Sequence, residues 1–395
     1  MNRAKLAWYN IEPTLQDRNS SNNPIRGDIN QLSDPRVRAV YTNELFPQRT
    51  TNIINNNILS GTFDLAYYPV ERGPYNFTTD KLDVDANGKL INPKKRWGGI
   101  MRGIDQTDFE TGNIEFIEFW VQDPFLINRN SSGGKLILNL GNISEDILKD
   151  GRRFYENGLN TPTQPAAVDT TGVWGRAPYN PIQITQAFSN DPADRPYQDV
   201  GFDGLTDDSE KIKRSPYLDE LASNFTSGSV IYQKALYDPS NDNYKWYRDP
   251  QYDATGTGIL GRYKDYNNPQ GNSPVSAGNS EFSPAATLYP DNEDLNRDNT
   301  LNETEEYYQY EIDLNPNMGV GITKYITDVR RIKPKLPNGR DTIEYWFLFR
   351  VPIKGFTSKV GNIPDFKSIR FMRMFFTGFE DSVVLRFARL DLVRN

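Results

Sequence analysis

The feature that most constrains the fold of this chain is an alternation of apolar and polar side chains. In residues 307–314, aromatic or aliphatic side chains recur at every second position, at Tyr308, Tyr310, Ile312 and Leu314. A period of two indicates a β-strand with one face buried. The same alternation occurs at 135–140 and 344–351. With the strand-like runs at 114–121, which is apolar on both faces apart from Glu115 and Glu118, and at 369–377 and 383–393, these segments form two blocks, 114–140 and 307–393.

Residues between the two blocks are rich in Pro, Gly, Asn and Asp. We therefore predict a mainly β fold, an antiparallel β-sandwich of jelly-roll-like type that carries a long, polar, partly helical insertion. The alternative is two smaller β domains in succession. The predicted parts are an irregular N-terminal segment (1–60), the first part of the sandwich (61–150), the loop-rich insertion with short helices (151–305) and the second part of the sandwich (306–395).

Three helices are predicted between the strand blocks. One covers 208–224 and is interrupted by Pro216, and a second covers 229–237. A third, shorter helix is expected after Ser144, whose hydroxyl can cap its first turn, and Gly151 would end it.

Two residue types that support much enzyme chemistry are missing, because the chain has no Cys and no His. Thiolate nucleophiles, disulfides and Ser-His-Asp triads are therefore excluded, as is the commonest ligand of transition metals. The net charge of -7 provides no basic field for nucleic acid. No apolar run approaches the roughly 20 residues of a membrane-spanning helix. We expect a non-catalytic chain that does not bind nucleic acid.

The strongest candidate site is a twelve-residue acidic loop at 294–305, which resembles a calcium-binding loop. Oxygen ligands fall at positions 1, 3, 5, 9 and 12, position 7 can offer a backbone carbonyl, and Asn299 stands where Gly is usual. The predicted Ca²⁺ ligands are Asp294, Asn296, Asp298, Thr300, Asn302 and Glu305. The alternative is an acidic turn held by hydrogen bonds of its Asx side chains.

A weaker calcium candidate lies at 199–210. Its ligands would be Asp199, Asp203, Asp207 and Glu210, but Gly201 leaves the third position without a side chain. An acidic turn that caps the next helix is the alternative. In a third acidic stretch, the pair Asn87-Gly88 predicts a hairpin turn and no ion.

Two further features could serve catalysis or sugar binding. Glu115 and Glu118 could form a glycosidase pair only if a bulge turned them to one face, because residues three apart on a strand point to opposite faces. Several aromatic residues in polar stretches could stack on sugars, but packing is the favoured interpretation. They are Trp8, Tyr9, Trp97, Trp174, Tyr244, Trp246 and Tyr247.

Segments spread along the whole chain resemble the SprA/Sov family, the type IX secretion translocons of gliding and gingipain-secreting Bacteroidetes. The segments are 5–13, 119–126, 142–151, 199–205 and 291–306. The resemblance implies a very large outer-membrane β-barrel through which folded proteins reach the cell surface. It also implies three kinds of protein partner, namely a PorV-like shuttle, a plug protein and the secreted cargo. The family offers no catalytic residues to look for.

This chain departs from that picture because it shows no series of lipid-facing strands of about ten residues. We therefore expect a soluble internal fragment of an outer-membrane protein, a cap or periplasmic domain, with the extracellular face favoured. A calcium-dependent carbohydrate-binding β-sandwich module is the alternative, and a polysaccharide-active enzyme is a more distant one.

Overall fold

The chain folds into two large antiparallel sheets. The computed structural model describes residues 2–49, 59–179, 188–267 and 289–394. Within them the strands are β1 Ala4–Tyr9, β2 Phe63–Arg72, β3 Trp97–Gly103, β4 Ile114–Gln122, β5 Gly134–Asn142, β6 Val168–Asp169, β7 Ala177–Pro178, β8 Glu306–Leu314, β9 Ile326–Ile332, β10 Glu344–Pro352, β11 Ser358–Val360, β12 Phe371–Thr377 and β13 Val383–Arg394. The predicted mainly β class is confirmed.

Strands from both sequence blocks are mixed in each sheet. The six-stranded sheet has the order β1-β2-β13-β4-β10-β9, and the five-stranded sheet has the order β11-β8-β5-β12-β3. The strands β6 and β7 form a separate pair. Because β12 lies between β5 and β3, and β13 between β2 and β4, the two blocks form one sandwich and not two successive β domains.

The sandwich core fills the space between the two sheets. The ring of Tyr67 on β2 stacks on that of Phe376 on β12, with 5.6 Å between centroids. The hydroxyl of Tyr310 on β8 donates to the carbonyl of Ile353, which follows β10. The alternation that predicted β8 and β10 therefore marks the side chains that meet in this core.

A second layer covers the outer face of the six-stranded sheet. There Tyr9 and Val384 pack against Ile25, Leu32 and other residues of the N-terminal part. The buried ion pair of Arg38 with Glu344 on β10 joins this layer to the sheet. Arg386, which pairs with Asp64 within the sheet, donates to the Pro35 carbonyl of the layer. The first 60 residues thus supply one edge strand, β1, and part of this covering layer.

Short helices occur in the described residues outside the sheets. They are α1 Pro13–Gln16, α2 Thr42–Leu45, α3 Arg195–Gln198, α4 Asp207–Lys213, α5 Ser215–Phe225, α6 Val230–Tyr237, α7 Pro250–Ala254 and α8 Ile259–Lys264, with 3-10 turns at Gln31–Ser33, Pro47–Arg49, Pro93–Lys95 and Glu156–Gly158. Two helix predictions are confirmed. Pro216 separates α4 from α5 by starting the second helix, and the Ser229 hydroxyl accepts the Tyr232 N–H at the start of α6.

The helix predicted after Ser144 is wrong, because residues 147–151 form bends. The acidic side chains of this stretch bind backbone amides instead. Asp146 accepts the N–H groups of Asp150 and Gly151, and Glu145 accepts those of a distant loop. Such bonds offer the backbone an alternative to helix formation.

Candidate functional site

Three buried carboxyl groups converge beside the helical part of the chain. Asp203 precedes α4, Glu210 lies on α4 and Asp242 follows α6. One oxygen from each lies within 4.8 Å of the others. The three residues are 1%, 1% and 6% exposed, so the acid cluster, as we call this trio, lies almost wholly out of solvent.

The backbone before α4 needs glycine to bring these groups together. Gly201 and Gly204 have φ values of +72° and +67°, which residues with a side chain adopt rarely. A Cβ atom at Gly201 would lie 2.3 Å from the Oδ2 of Asp242. The glycine-rich turn seen in the sequence therefore makes room for the carboxylate of Asp242.

Hydrogen bonds fix each carboxyl group of the acid cluster. Asp203 Oδ2 accepts from Arg214 Nη2 at 3.1 Å and from Ser240 Oγ at 2.7 Å. Glu210 Oε2 accepts the Ser240 N–H at 3.0 Å, and Asp242 Oδ2 accepts the Tyr75 hydroxyl at 2.8 Å. Of these partners only Arg214 is a cation, so one positive charge faces three acids.

Burial strongly affects how the acid cluster binds protons. Loss of solvation, together with the nearby charge of Asp203, raises the pKa of Glu210 to about 8. The same two causes, with burial the larger, raise the pKa of Asp242 well above its usual range. Burial also raises the pKa of Asp203, against the hydrogen bond from Ser240 and the charge of Arg214. The cluster therefore retains protons at neutral pH, or else requires a cation to ionise fully.

Further buried acids lie close by and organise loops. Glu156 accepts the N–H groups of Val200, Gly201 and Asp291. Glu293 accepts those of Ile147 and Phe154, and burial raises its pKa to about 8. Sequence reasoning missed these residues, because an acid that binds distant amides looks like an exposed acid in the sequence.

The predicted calcium loop at 294–305 is held by its own hydrogen bonds. Asp294 is 2% exposed and accepts the N–H groups of Asp298 and Asn299 at 3.0 and 2.9 Å. It also accepts the Tyr155 hydroxyl at 3.0 Å. Asn299 has a φ of +66°, as expected for the residue in the usual Gly position.

The other predicted ligands of this loop make separate contacts. Asn296 and Thr300 bind Asp298, and Asn302 donates to the Ile143 carbonyl. Glu305 pairs with Arg373 through both carboxylate oxygens, at 3.1 and 3.2 Å. Asp294, Asp298 and Glu305 do not bring one oxygen each within 4.8 Å of one another.

The structure brings together two of the four ligands predicted for the weaker candidate at 199–210. Asp203 and Glu210 meet in the acid cluster, whereas Asp199 pairs with Arg195 at 3.2 Å and Asp207 begins α4. Asp242, which completes the cluster, lies outside the predicted segment. Calcium binding at either segment stays a prediction.

The remaining sequence candidates take structural positions. All seven aromatic residues considered for sugar stacking are buried or half-buried. Trp174, for example, packs against Tyr75 and Phe77. Glu118 lies near Arg350 at 3.7 Å, and Glu115 is exposed. The turn predicted at Asn87-Gly88 is confirmed by the bond from the Gly88 N–H to the Asp85 carbonyl.

Part of the chain matches a known protein family. Residues 216–395 match the SprA_N family model, described as a motility related/secretion protein. This part of the chain is related to SprA. It contains Asp242 and the loop at 294–305, whereas Asp203 and Glu210 lie before it. No curated protein matches the chain.

The helices show no membrane span. In the described part of the chain, none has the length and apolar character needed to cross a bilayer.

Proposed function

We propose that this chain is a non-catalytic, soluble domain of a type IX secretion translocon in the outer membrane. It would support the export of proteins to the cell surface and gliding motility. The observation that carries the proposal is the match of residues 216–395 to a motility and secretion family. The strands β2, β3, β4 and β5 precede that segment but share its sheets, so the proposal extends to the whole folded unit.

The chemistry of the buried acids supports a non-catalytic role. Asp203 and Glu210 are bound by groups of the chain itself, including the Ser240 N–H and the Arg214 guanidinium. Burial leaves the three acids of the cluster 6% exposed or less, which gives a substrate little access. We therefore propose a role in binding other proteins, with a shuttle, a plug protein and secreted cargo as the partners suggested by the family.

Purified chain offers a direct test of the proposed partners. Immobilised on beads and exposed to envelope extract of a bacterium that encodes it, the chain is expected to retain outer-membrane shuttle or cargo proteins. The matched control is chain unfolded in urea before coupling. Retention of no protein, together with binding on a glycan array, would contradict the proposal and support a sugar-binding module.

The face of the membrane is tested in intact cells. Gly228 lies in an exposed turn between α5 and α6, and nothing lies within 4 Å of a Cβ placed there. An epitope inserted after Gly228 in the chromosomal gene is expected to bind antibody on unbroken cells, with unchanged secretion and gliding. Labelling only after the outer membrane is opened would place the domain in the periplasm.

A further inference from the structure

The strand β9 ends the six-stranded sheet with an open edge. Among the described residues, β9 pairs only with β10. The Tyr345 carbonyl accepts from the N–H of Asp123, just after β4, so the backbone of Tyr345 faces β4. Arg331 lies opposite Tyr345 in the pairing of β9 with β10 and therefore directs its backbone groups outward. Because successive residues of a strand face opposite sides, Val329 also faces outward, whereas Arg330 faces β10.

A hydrogen bond at Val329 agrees with this orientation. The Val329 N–H donates to the side-chain Oδ1 of Asp328 at 2.8 Å. The amide is thus satisfied locally by a side chain, which an incoming strand could displace. The side chain of Val329 is 42% exposed, so an apolar contact is available beside this outward amide.

The charge of this region opposes the charge of the chain. Residues 324–341 hold six lysines and arginines against two aspartates, whereas the whole chain holds 45 against 52. Arg331, Lys333 and Lys335 are exposed, and none of them forms an ion pair in the described structure.

Positive charge on an edge strand also protects sheets from pairing with other chains. That role accounts for the exposed lysines, but it leaves the exposed side chain of Val329, beside an outward backbone amide, unexplained. An acidic strand added at this edge would cover Val329 and bring carboxylates to Arg331 and Lys333 on the same face. In an extended peptide, acidic side chains at alternate positions share one face in this way.

We propose that β9 binds an extended acidic segment of a partner protein, which adds to the sheet as a further strand. Backbone groups of Val329 and Arg331 form the new ladder, and acidic side chains of the segment pair with Arg331 and Lys333, which lie on one face of the strand. The inference rests on the geometry and charge of β9 and goes beyond the proposed secretion role, so neither depends on the other.

The test uses the full chain and synthetic peptides in titration calorimetry. The probe is an end-blocked peptide of about eight residues in which glutamate alternates with valine, a length that matches a common strand. One comparison peptide replaces glutamate with lysine, and another carries N-methyl groups on alternate amides. We expect binding of the first peptide only, weakening as salt increases.

Two variants locate the site. Val329→Pro removes an outward N–H without removing a bond to β10, a position where an edge strand tolerates proline. Arg331→Glu/Lys333→Glu reverses the charge and leaves the backbone intact. Each is expected to weaken binding by about tenfold or more. The control Arg18→Glu/Lys95→Glu changes net charge equally at exposed positions outside β9 and should bind normally. Circular dichroism verifies the fold of every variant.

Several outcomes would overturn the proposal. Equal binding of the N-methylated peptide would show attraction by charge without strand addition. Binding of an oligothymidylate in preference to the peptide would indicate a nucleic-acid surface. A dimer seen by sedimentation and lost in Val329→Pro would make a second copy the occupant. If no probe binds, the positive charges of β9 serve only to protect its edge from pairing with other chains.

Discussion

Two acidic segments of this chain have similar spacing of carboxylates but lie in opposite environments. In residues 294–305, Asp298 belongs to an exposed turn and Glu305 pairs with Arg373. In residues 199–210, Asp203 and Glu210 are buried against each other and against Asp242. The segment with the better match to a calcium loop has the more dispersed carboxylates.

The difference shows what determines whether the carboxylates of an acidic loop are buried together or dispersed at the surface. Both segments use carboxylates to accept nearby backbone N–H groups, so the local turns resemble each other. The distinction comes from distant residues. Glu305 pairs with Arg373 outside its own loop. Asp242 lies beside Asp203 in a region that excludes water. Three experiments test this comparison.

The largest effect is expected from removing a carboxylate of the acid cluster. Asp203→Ala leaves Arg214, which is 8% exposed, without its acidic partner. Loss of one member of a buried ion pair costs about 3–5 kcal/mol, so the free energy of unfolding in urea should fall by that amount. Asp298→Ala in the other segment removes exposed hydrogen bonds and should cost about 1 kcal/mol. Equal losses would erase the proposed difference.

An intermediate effect is expected from the pH dependence of stability. The unfolded carboxyl of Glu210 ionises near pH ~4, whereas the folded state holds its proton up to a pKa of about 8. Protons are therefore favoured in the folded state, and this residue lowers the free energy of unfolding as pH rises between those values.

Glu210→Gln keeps a neutral side chain at this position. It is expected to raise the free energy of unfolding at pH 8 by about 2 kcal/mol and to have little effect at pH 4. Thermal unfolding at both pH values measures this. Glu305→Gln, in the exposed pair with Arg373, is the control and should lower stability by no more than about 1 kcal/mol at pH 8. A loss of stability in Glu210→Gln at pH 8 would show that the ionised form is needed.

The smallest effect is expected from calcium. If Ca²⁺ binds at 294–305, Glu305 must leave Arg373, which weakens the ion's affinity. At a concentration equal to its Kd, an ion stabilises the native state by about 0.4 kcal/mol. We expect chelator to lower the Tm slightly, millimolar Ca²⁺ to restore it, and Glu305→Gln to reduce the response. If Asp242→Asn loses the response to Ca²⁺ and Glu305→Gln keeps it, the ion binds at the acid cluster and not at 294–305.

The sequence predicted those elements whose local pattern matches their environment. Apolar and polar side chains alternate along β8 and β10 because one face of each strand lies in the core. The helix α5 begins with Ser215 and Pro216, and the first turn of a helix tolerates proline. The sequence did not predict β3, because Gly98 and Gly99 stand where an alternating strand would have side chains. A Cβ at Gly98 would lie 3.0 Å from the Tyr67 ring, so close packing requires glycine there.

The acid cluster was only half predictable. The spacing of Asp203 and Glu210 drew attention to that segment, but nothing near them in sequence points to Asp242 or Tyr75. Their meeting depends on how α4 and α6 each pack against α5. Similarly, the pairing of Glu305 with Arg373 depends on β12 lying near the loop, which the sequence of the loop does not reveal.

The position of β13 governs when this molecule can fold during its synthesis. Without β13, the six-stranded sheet consists of two separate pieces, β1-β2 and β4-β10-β9. Without β12, β3 is likewise cut off from β5 and β8. A chain that emerges from the ribosome therefore cannot complete either sheet until residues 371–394 arrive. Because those strands pair with partners far back in the sequence, we expect the sheets to close slowly.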